Sequence, residues 1–343
     1  MADGPLSRAA AALRGGWRLT ARLSPLGEGH INETLLVSTE AGPRYVLQRI
    51  SRTVFADPER VMSNLVRVID HLRNSDAGLV PALIPTVADS WAFVDDAADW
   101  WRLWAYVADG RSLSRTSDPA LCRAAGEAYG RFQRLLAGLP GPALEPTIPG
   151  FLELGGYLER LDAALSLHDA ADVVAAACGS ETFLDDHRSL AARFPRQGDL
   201  IHGDCKLNNL IFATDSPEVL AVLDLDTVMA GHWAWDLGDL VRSVLTGVTG
   251  TEAAGRAVGA LVDGFAAGSG RSPDAGTVVD AAVYVAFMLG VRFLTDHLEG
   301  DRYFRVTRHG DNLERARAQF DLVRRLGTGA LADSLASAAP GRR

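Results

Sequence analysis

Apolar residues recur along the chain in two rhythms, and the rhythm changes about a third of the way in. Residues 1–15 read as a short Ala-rich helix. From Trp17 the period falls to two, with Trp17, Leu19 and Ala21 alternating with polar residues. Gly27-Glu28-Gly29-His30 interrupts, residues 31–39 resume as a second strand, and Ala41-Gly42-Pro43 turns into a third at 44–50. Strands joined by such short links predict an antiparallel meander. Asp57 suits an N-cap, Pro58 the first helical position and Glu59 the positive end of the dipole. Val61, Leu65, Val68 and Leu72 then form the apolar stripe of a helix. Further β-like pieces fall at 86–88 and 91–94, with a fuller strand at 100–107.

Beyond Ala108-Asp109-Gly110 the period is mostly helical, over 120–136, 152–167, 234–244, 252–267, 278–298 and 313–326, with two β-like runs at 210–213 and 219–225. The pattern predicts an α+β, bilobal architecture. A β-rich N-terminal lobe covers 1–107, a hinge 108–110, and a larger, mainly helical lobe 111–343, each of ordinary domain size.

Composition narrows the function. Apolar residues at 48% and charged residues at 22% suit a folded core. A net charge of −9 argues against nucleic acid as a partner. Cys122, Cys178 and Cys205 are odd in number and widely spaced, supporting neither a disulfide framework nor a zinc site. The N-terminus lacks the apolar core of a signal peptide, and the longest apolar run, 281–291, is short for a bilayer; a reducing cytoplasm and no membrane partner are expected. Of 34 basic residues only Lys206 is a lysine.

That lysine lies in the most informative segment, HGDCKLNN, from His202 to Asn209. It follows the short apolar entry Leu200-Ile201 and leads into a β-like exit. Phosphoryl transfer to a hydroxyl needs a carboxylate to orient the hydroxyl proton and oxygen ligands for Mg²⁺ beside the transferring phosphate. Asp204 and Asn209, five residues apart, have the spacing of the H-R-D-x-x-x-x-N loop that does this in protein kinases. A hairpin through 210–213 and 219–223 would return Asp224 to the side of Asn209, completing a metal pair. Asp226 shares its face if the strand continues, as a further ligand or a substrate contact. Lys206 would offset charge on the phosphate. A lone Gly-Asp pair is common in turns; the specificity lies in the entry, the loop, the hairpin and Asp224 taken together.

Upstream, GEGHIN offers Gly27 and Gly29 to lay backbone N–H groups over nucleotide phosphates, with His30 and Asn32 in reach. An ordinary hairpin turn has the same composition. The third strand, YVLQRI, lacks the lysine that kinases place against the phosphates. Gln48 or Arg49 must serve, and the two point to opposite faces. An acidic partner on the helix at 58–73 has no obvious candidate. Asp236 and Asp239 sit early in a helix, where Asp236 would anchor the catalytic loop or either acid would simply complement the dipole. Trp233 and Trp235 are expected in the core.

The order of these segments resembles the aminoglycoside phosphotransferase superfamily, which has the protein-kinase-like bilobal fold, and within it the N-acetylhexosamine 1-kinases. The resemblance runs through GEGHINETLLV, YVLQRISRTVFADPERVM, HGDCKLNNLIF, VLDLDTVMAG and RFLTDHLEGDRYF. In that branch a Gln-Arg pair also replaces the strand lysine, and a lysine follows the catalytic aspartate. Gly203 is closer to the broader superfamily pattern. The resemblance implies ATP and Mg²⁺ as cofactors and a sugar as acceptor, phosphorylated at the anomeric hydroxyl of an N-acetylhexosamine or related hexose. Asp204 would be the base, Asn209 and Asp224 the metal ligands and Arg292 a sugar contact; His202, like Asp236, is expected to support the loop. Alternatives are a kinase for an amino sugar, an aminoglycoside or another small alcohol, and an inactive ligand-binding relative. Monomer and dimer are equally open.

Overall fold

The computed structural model describes residues 5–338 except 28–30, 41, 77, 168–169, 181 and 249. A helix, α1 (Pro5–Trp17), precedes β1 (Arg22–Pro25), β2 (Glu33–Thr39) and β3 (Gly42–Arg49), which form the expected antiparallel meander. Trp17 belongs to the helix, so the first strand starts later than its alternation implies. Next come α2 (Pro58–Ser75), β4 (Leu83–Ile84), β5 (Phe93–Val94) and β6 (Trp100–Ala105), giving a sheet ordered β1-β2-β3-β6-β4 with β5 also on β6. Residues 86–88 are a turn, closed by N–H groups of Ala88 and Ser90 on the Thr86 hydroxyl.

The two faces of this sheet have different partners. Leu35, Val37, Leu47, Trp101 and Leu103 point one way and bury against Ala9, Ala12, Leu13 and Trp17 of α1. Strand alternation then sends Gln48, Arg102 and Trp104 to the opposite face, toward the larger lobe. Helix α2 is capped as expected, the Asp57 carboxylate accepting from the Arg60 N–H at 3.0 Å. Its stripe of Val61, Leu65, Val68 and Leu72 joins the main core of the larger lobe. Its acids Glu59 and Asp70 are exposed, so no acidic partner faces the sheet.

After the Asp109 turn, β7 (Gly110–Ser112) pairs with a hairpin of the larger lobe. That lobe contains α3 (Pro119–Leu136), α4 (Leu154–Leu167), the short α5 (Ala171–Cys178) and α6 (Phe183–His187), β8 (Asp199–Ile201), β9 (Leu210–Ala213), β10 (Val219–Val222), β11 (Met229–Gly231), α7 (Trp233–Leu245), α8 (Thr251–Ser269), α9 (Ala275–Leu298), α10 (Asp311–Gly327) and α11 (Ala330–Ala338). The six helices read from periodicity are present; α5, α6, α11 and the two-stranded β8–β11 ladder are additions. Trp235 is core, and Trp233 packs half-buried against it. The three cysteines are buried and free. Helix α9 is long and apolar enough for a membrane by length and composition, contrary to the reading of its apolar run. Its most apolar window is 67% buried within the fold, where it packs on α4, α7 and α10.

Helices α3 and α8 meet backbone to backbone. A Cβ on Gly264 would lie 1.9 Å from the Arg123 carbonyl oxygen, and one on Gly126 2.0 Å from that of Leu261. The Gly264→Ala chain should therefore lose about 1–3 kcal/mol or more to overpacking. Gly259→Ala, on the same helix with only an ordinary contact at 3.9 Å, should gain about 0.5–1 kcal/mol. Urea denaturation of both variants checks the close approach; equal shifts would contradict it.

Candidate active site

Two small ladders bring the chemistry together. β8 pairs antiparallel with β11, Ile201 opposite Met229, and β9 pairs with β10, Leu210 opposite Val222. The segments between them, 202–209 and 223–228, must therefore run side by side. The Leu223 N–H donates to the Asn209 carbonyl at 2.8 Å, which sets Asp224 next to Asn209. The backbone then leaves the strand: Asp224 has φ 60 and ψ 59, and 225–227 form a 3₁₀ turn. A left-handed aspartate is uncommon and marks a constrained position.

His202 and Asp236 hold the loop. The buried Asp236 carboxylate accepts the backbone N–H groups of His202 and Gly203, both at 2.8 Å, and the Gln133 side-chain amide at 2.7 Å. The Asp204 N–H donates to His202 Nδ1 at 3.2 Å, so Nε2 carries the proton it donates to the Leu223 carbonyl at 2.8 Å. One imidazole thus ties the catalytic loop to the strand end that delivers Asp224. Gly203 has φ +85, and a Cβ there would stand 2.8 Å from the Thr227 carbonyl oxygen, so the glycine is a geometric requirement. Asp239 is occupied elsewhere, ion-paired with Arg242.

Asp204 accepts from Lys206 Nζ and from Asn209 Nδ2, each at 2.9 Å. Burial would raise its carboxyl, but Lys206, joined by His202 and Asn209, outweighs burial and holds it below the ordinary range; the pairing with Asp204 raises Lys206 against its own burial. With Nδ2 engaged, Asn209 keeps its carbonyl Oδ1 for a cation. Asp224 opens into the cleft, and among the described residues no side chain hydrogen-bonds its carboxylate. Two hard oxygen donors on adjacent segments fit Mg²⁺.

Several sequence assignments change. Asp226 does not face the cleft. It is 2% exposed, paired with Arg102 through two bonds of 2.5 and 2.9 Å and bonded to Asn32 Nδ2 at 2.8 Å. The strand that would have turned it outward ends at Val222. Asn32 is no phosphate contact either, because its other end accepts the Ser51 N–H at 2.9 Å. Arg49 lies on the α1 face, bonded to Glu33 and Asp99, so it does not line the cleft. Gln48 is on the correct face, but its carbonyl accepts from Arg102 and Trp104 and its amide reaches Thr34. Gly27 sits in an exposed left-handed turn, φ +72; Gly29 and His30 lie outside the described residues. The cation on the inner face is Arg102, which sequence reasoning missed together with Gln133 and Tyr129, whose hydroxyl bonds the Lys206 carbonyl.

Arg292 stands beside a cavity of about 130 Å³. Its guanidinium lies over the rings of Tyr157, Phe151, Phe304 and Tyr303 at 5.0–5.4 Å. The wall of this cavity connects to the catalytic segments, since the Thr147 hydroxyl, next to Ile148 of the lining, donates to the Asp226 carbonyl at 2.7 Å.

The model of the phosphotransferase enzyme family (APH) matches residues 22–271. The chain belongs to that family. Solved structures share its fold at low identity. A microcompartment-associated aminopropanol kinase is 17% identical with a TM-score of 0.60, covering 95% of this chain and 99% of that one. An amicoumacin kinase in complex with AMP-PNP and Ca²⁺ is 15% identical, TM-score 0.58, covering 96% and 94%. A choline/ethanolamine kinase family protein from Mesorhizobium loti is 18% identical, TM-score 0.57, covering 96% and 99%. Family membership makes this chain a phosphotransferase.

Crowding by the surrounding protein, with the neighbouring carboxylates of Asp226 and Asp204, pushes Asp224 up to about 7 despite Lys206 and Arg102. Below that pH a divalent cation must displace a proton. Mn²⁺ binding followed by electron paramagnetic resonance should thus be about tenfold tighter at pH 8 than at pH 6, with that component absent in Asp224→Asn. Equal affinity at the two pH values would show that Asp224 does not ligate the ion.

Proposed function

We propose that the chain transfers the γ-phosphoryl group of ATP to a sugar hydroxyl, with the anomeric hydroxyl of an N-acetylhexosamine or related hexose as the leading acceptor. The observation that carries this reading is Arg292. An aromatic box of its kind suits a cationic ligand, but here the protein's own guanidinium fills it. Asp296, which also lines the cavity, is committed to the N–H groups of Arg302, Tyr303 and Phe304 and to Asn312. An ammonium-bearing acceptor would meet a positive charge and an engaged carboxylate. Hydroxyl and acetamido oxygens would meet a donor fork, with ring faces for the sugar's apolar side.

In this reading ATP lies between the lobes near residues 108–110. Asp204 orients the acceptor hydroxyl in line with the phosphate. Its low proton affinity suits a loose transition state, which asks for positioning more than for a strong base. Lys206 stands beside Asp204, where negative charge gathers, and offsets it. Mg²⁺, held by Asn209 and Asp224, would neutralise charge on the phosphates. His202, Asp236 and Gly203 keep these groups in register.

Acceptor-dependent ADP release across N-acetylhexosamines, neutral hexoses, choline, aminopropanol and an aminoglycoside tests this. The hexose group should give the highest kcat/KM, and Asp204→Asn should lower kcat by about 10²–10⁴. Faster turnover of an amine-bearing acceptor would replace the sugar assignment. Near-normal activity of Asp204→Asn would remove the mechanism, and tight ligand binding with no ADP release would mark an inactive binding protein.

A further inference from the structure

We propose that His297, Asp301 and His309 form a binding site for a borderline divalent transition metal of the Zn²⁺ class, separate from the catalytic pair and stapling the loop that carries Tyr303 and Phe304. The three residues come from the last turn of α9, the left-handed turn after it and the approach to α10. One ligand atom from each lies within 4.8 Å of the others. The proposal does not depend on the identity of the acceptor.

The second, independent observation is an unsatisfied donor site. The His297 side chain is only 10% exposed, and its Nδ1 has no hydrogen-bond partner. It faces Asp301 Oδ1 at 3.9 Å, too long for a hydrogen bond. His309 Nδ1 approaches the other oxygen, Oδ2, at 3.2 Å. Two ligand atoms on one tetrahedral Zn²⁺ stand about 3.4 Å apart, given bonds of about 2.0–2.2 Å. The two imidazoles approach different oxygens of the one carboxylate, and with one atom taken from each residue the set lies within 4.8 Å, so a bound ion would draw the three ligands together. The imidazoles lie nearly parallel, centroids 4.9 Å apart and planes 29° from each other, so both rings present an edge to the same carboxylate.

The surroundings are those of a supported ligand set. Asp301 is 8% exposed, and Asn312 donates both to its Oδ1 and to Asp296 Oδ2, each at 2.8 Å. Such outer contacts hold a ligating carboxylate in orientation. Arg317 contributes an opposing positive charge near His297, balanced by Asp296 behind Asn312. Two imidazoles and one carboxylate favour Zn²⁺, Co²⁺ or Ni²⁺ over the oxygen-seeking Mg²⁺ and Ca²⁺. The cysteine spacing carries no hint of this site because it uses none of the cysteines. The loop it closes carries Tyr303 and Phe304 to Arg292, so a bound ion would stiffen one wall of the acceptor cavity.

Co²⁺ titration of the chelator-stripped chain in excess Mg²⁺ is the test. Visible d–d bands should saturate at one equivalent, persist in Asp224→Asn and vanish in His309→Ala, whose side chain is 81% exposed and so dispensable for folding. Zn²⁺ at a hundredfold excess over Kd should raise Tm by about 4 °C and slow amide exchange across residues 299–310 in the wild-type chain but not in His309→Ala. No band, a band unchanged in His309→Ala, or unchanged exchange with Zn²⁺ would overturn the proposal.

Discussion

The buried pair between Arg102 on β6 and Asp226 beyond β10 ties the small sheet to the catalytic segments. Both side chains are 1% exposed, so neither has water to fall back on. Breaking such a pair leaves an uncompensated charge in a low-dielectric interior, which is far more costly than the pair's net contribution. Gln48, Trp104 and Asn32 engage the same two groups, and each is set on the inner face by strand alternation or by the turn before β2. The chain has no lysine on β3, and its inner-face cation is spent on holding Asp226. In the proposed function, charge on a bound nucleotide is thereby left to Lys206 and to an ion at Asn209 and Asp224.

The segment that contains Asp226 also contains Asp224, and the Thr147 hydroxyl on the Asp226 carbonyl continues the chain of contacts to the acceptor cavity. The catalytic loop meets this segment through His202 and Thr227, and meets α7 through Asp236. A shift of the β-sheet relative to the larger lobe must therefore either carry 224–227 along or break the ion pair. The lobes, the proposed metal ligands and the cavity wall are coupled through one short turn.

Much of this was legible in the sequence where the information is local. The HGDCKLNN loop and its hairpin follow from spacing within about 25 residues, Asp236 was one of two open readings, and six helices of the larger lobe follow from their 3.6-residue period. Strand alternation correctly set Gln48 and Arg49 on opposite faces but could not say which face is the cleft; that depends on α1 packing against Leu47 and Trp101. Asp226 and Asn32 were misassigned because each is satisfied by a partner 124 to 194 residues away. Arg102, in a run of tryptophans, carries no local signal at all. Arg292 was implied only by the family resemblance, and the aromatic box around it is assembled from two segments distant in sequence, 151–157 and 303–304.

The coupling of Arg102 to Asp226 is tested most directly by a double-mutant cycle on unfolding free energy with Arg102→Met, Asp226→Asn and the double variant. Arg102→Met should cost about 3–5 kcal/mol, and the double variant should be more stable than the sum of the single losses by at least about 1–2 kcal/mol. Single losses below about 0.5 kcal/mol that simply add would contradict the account.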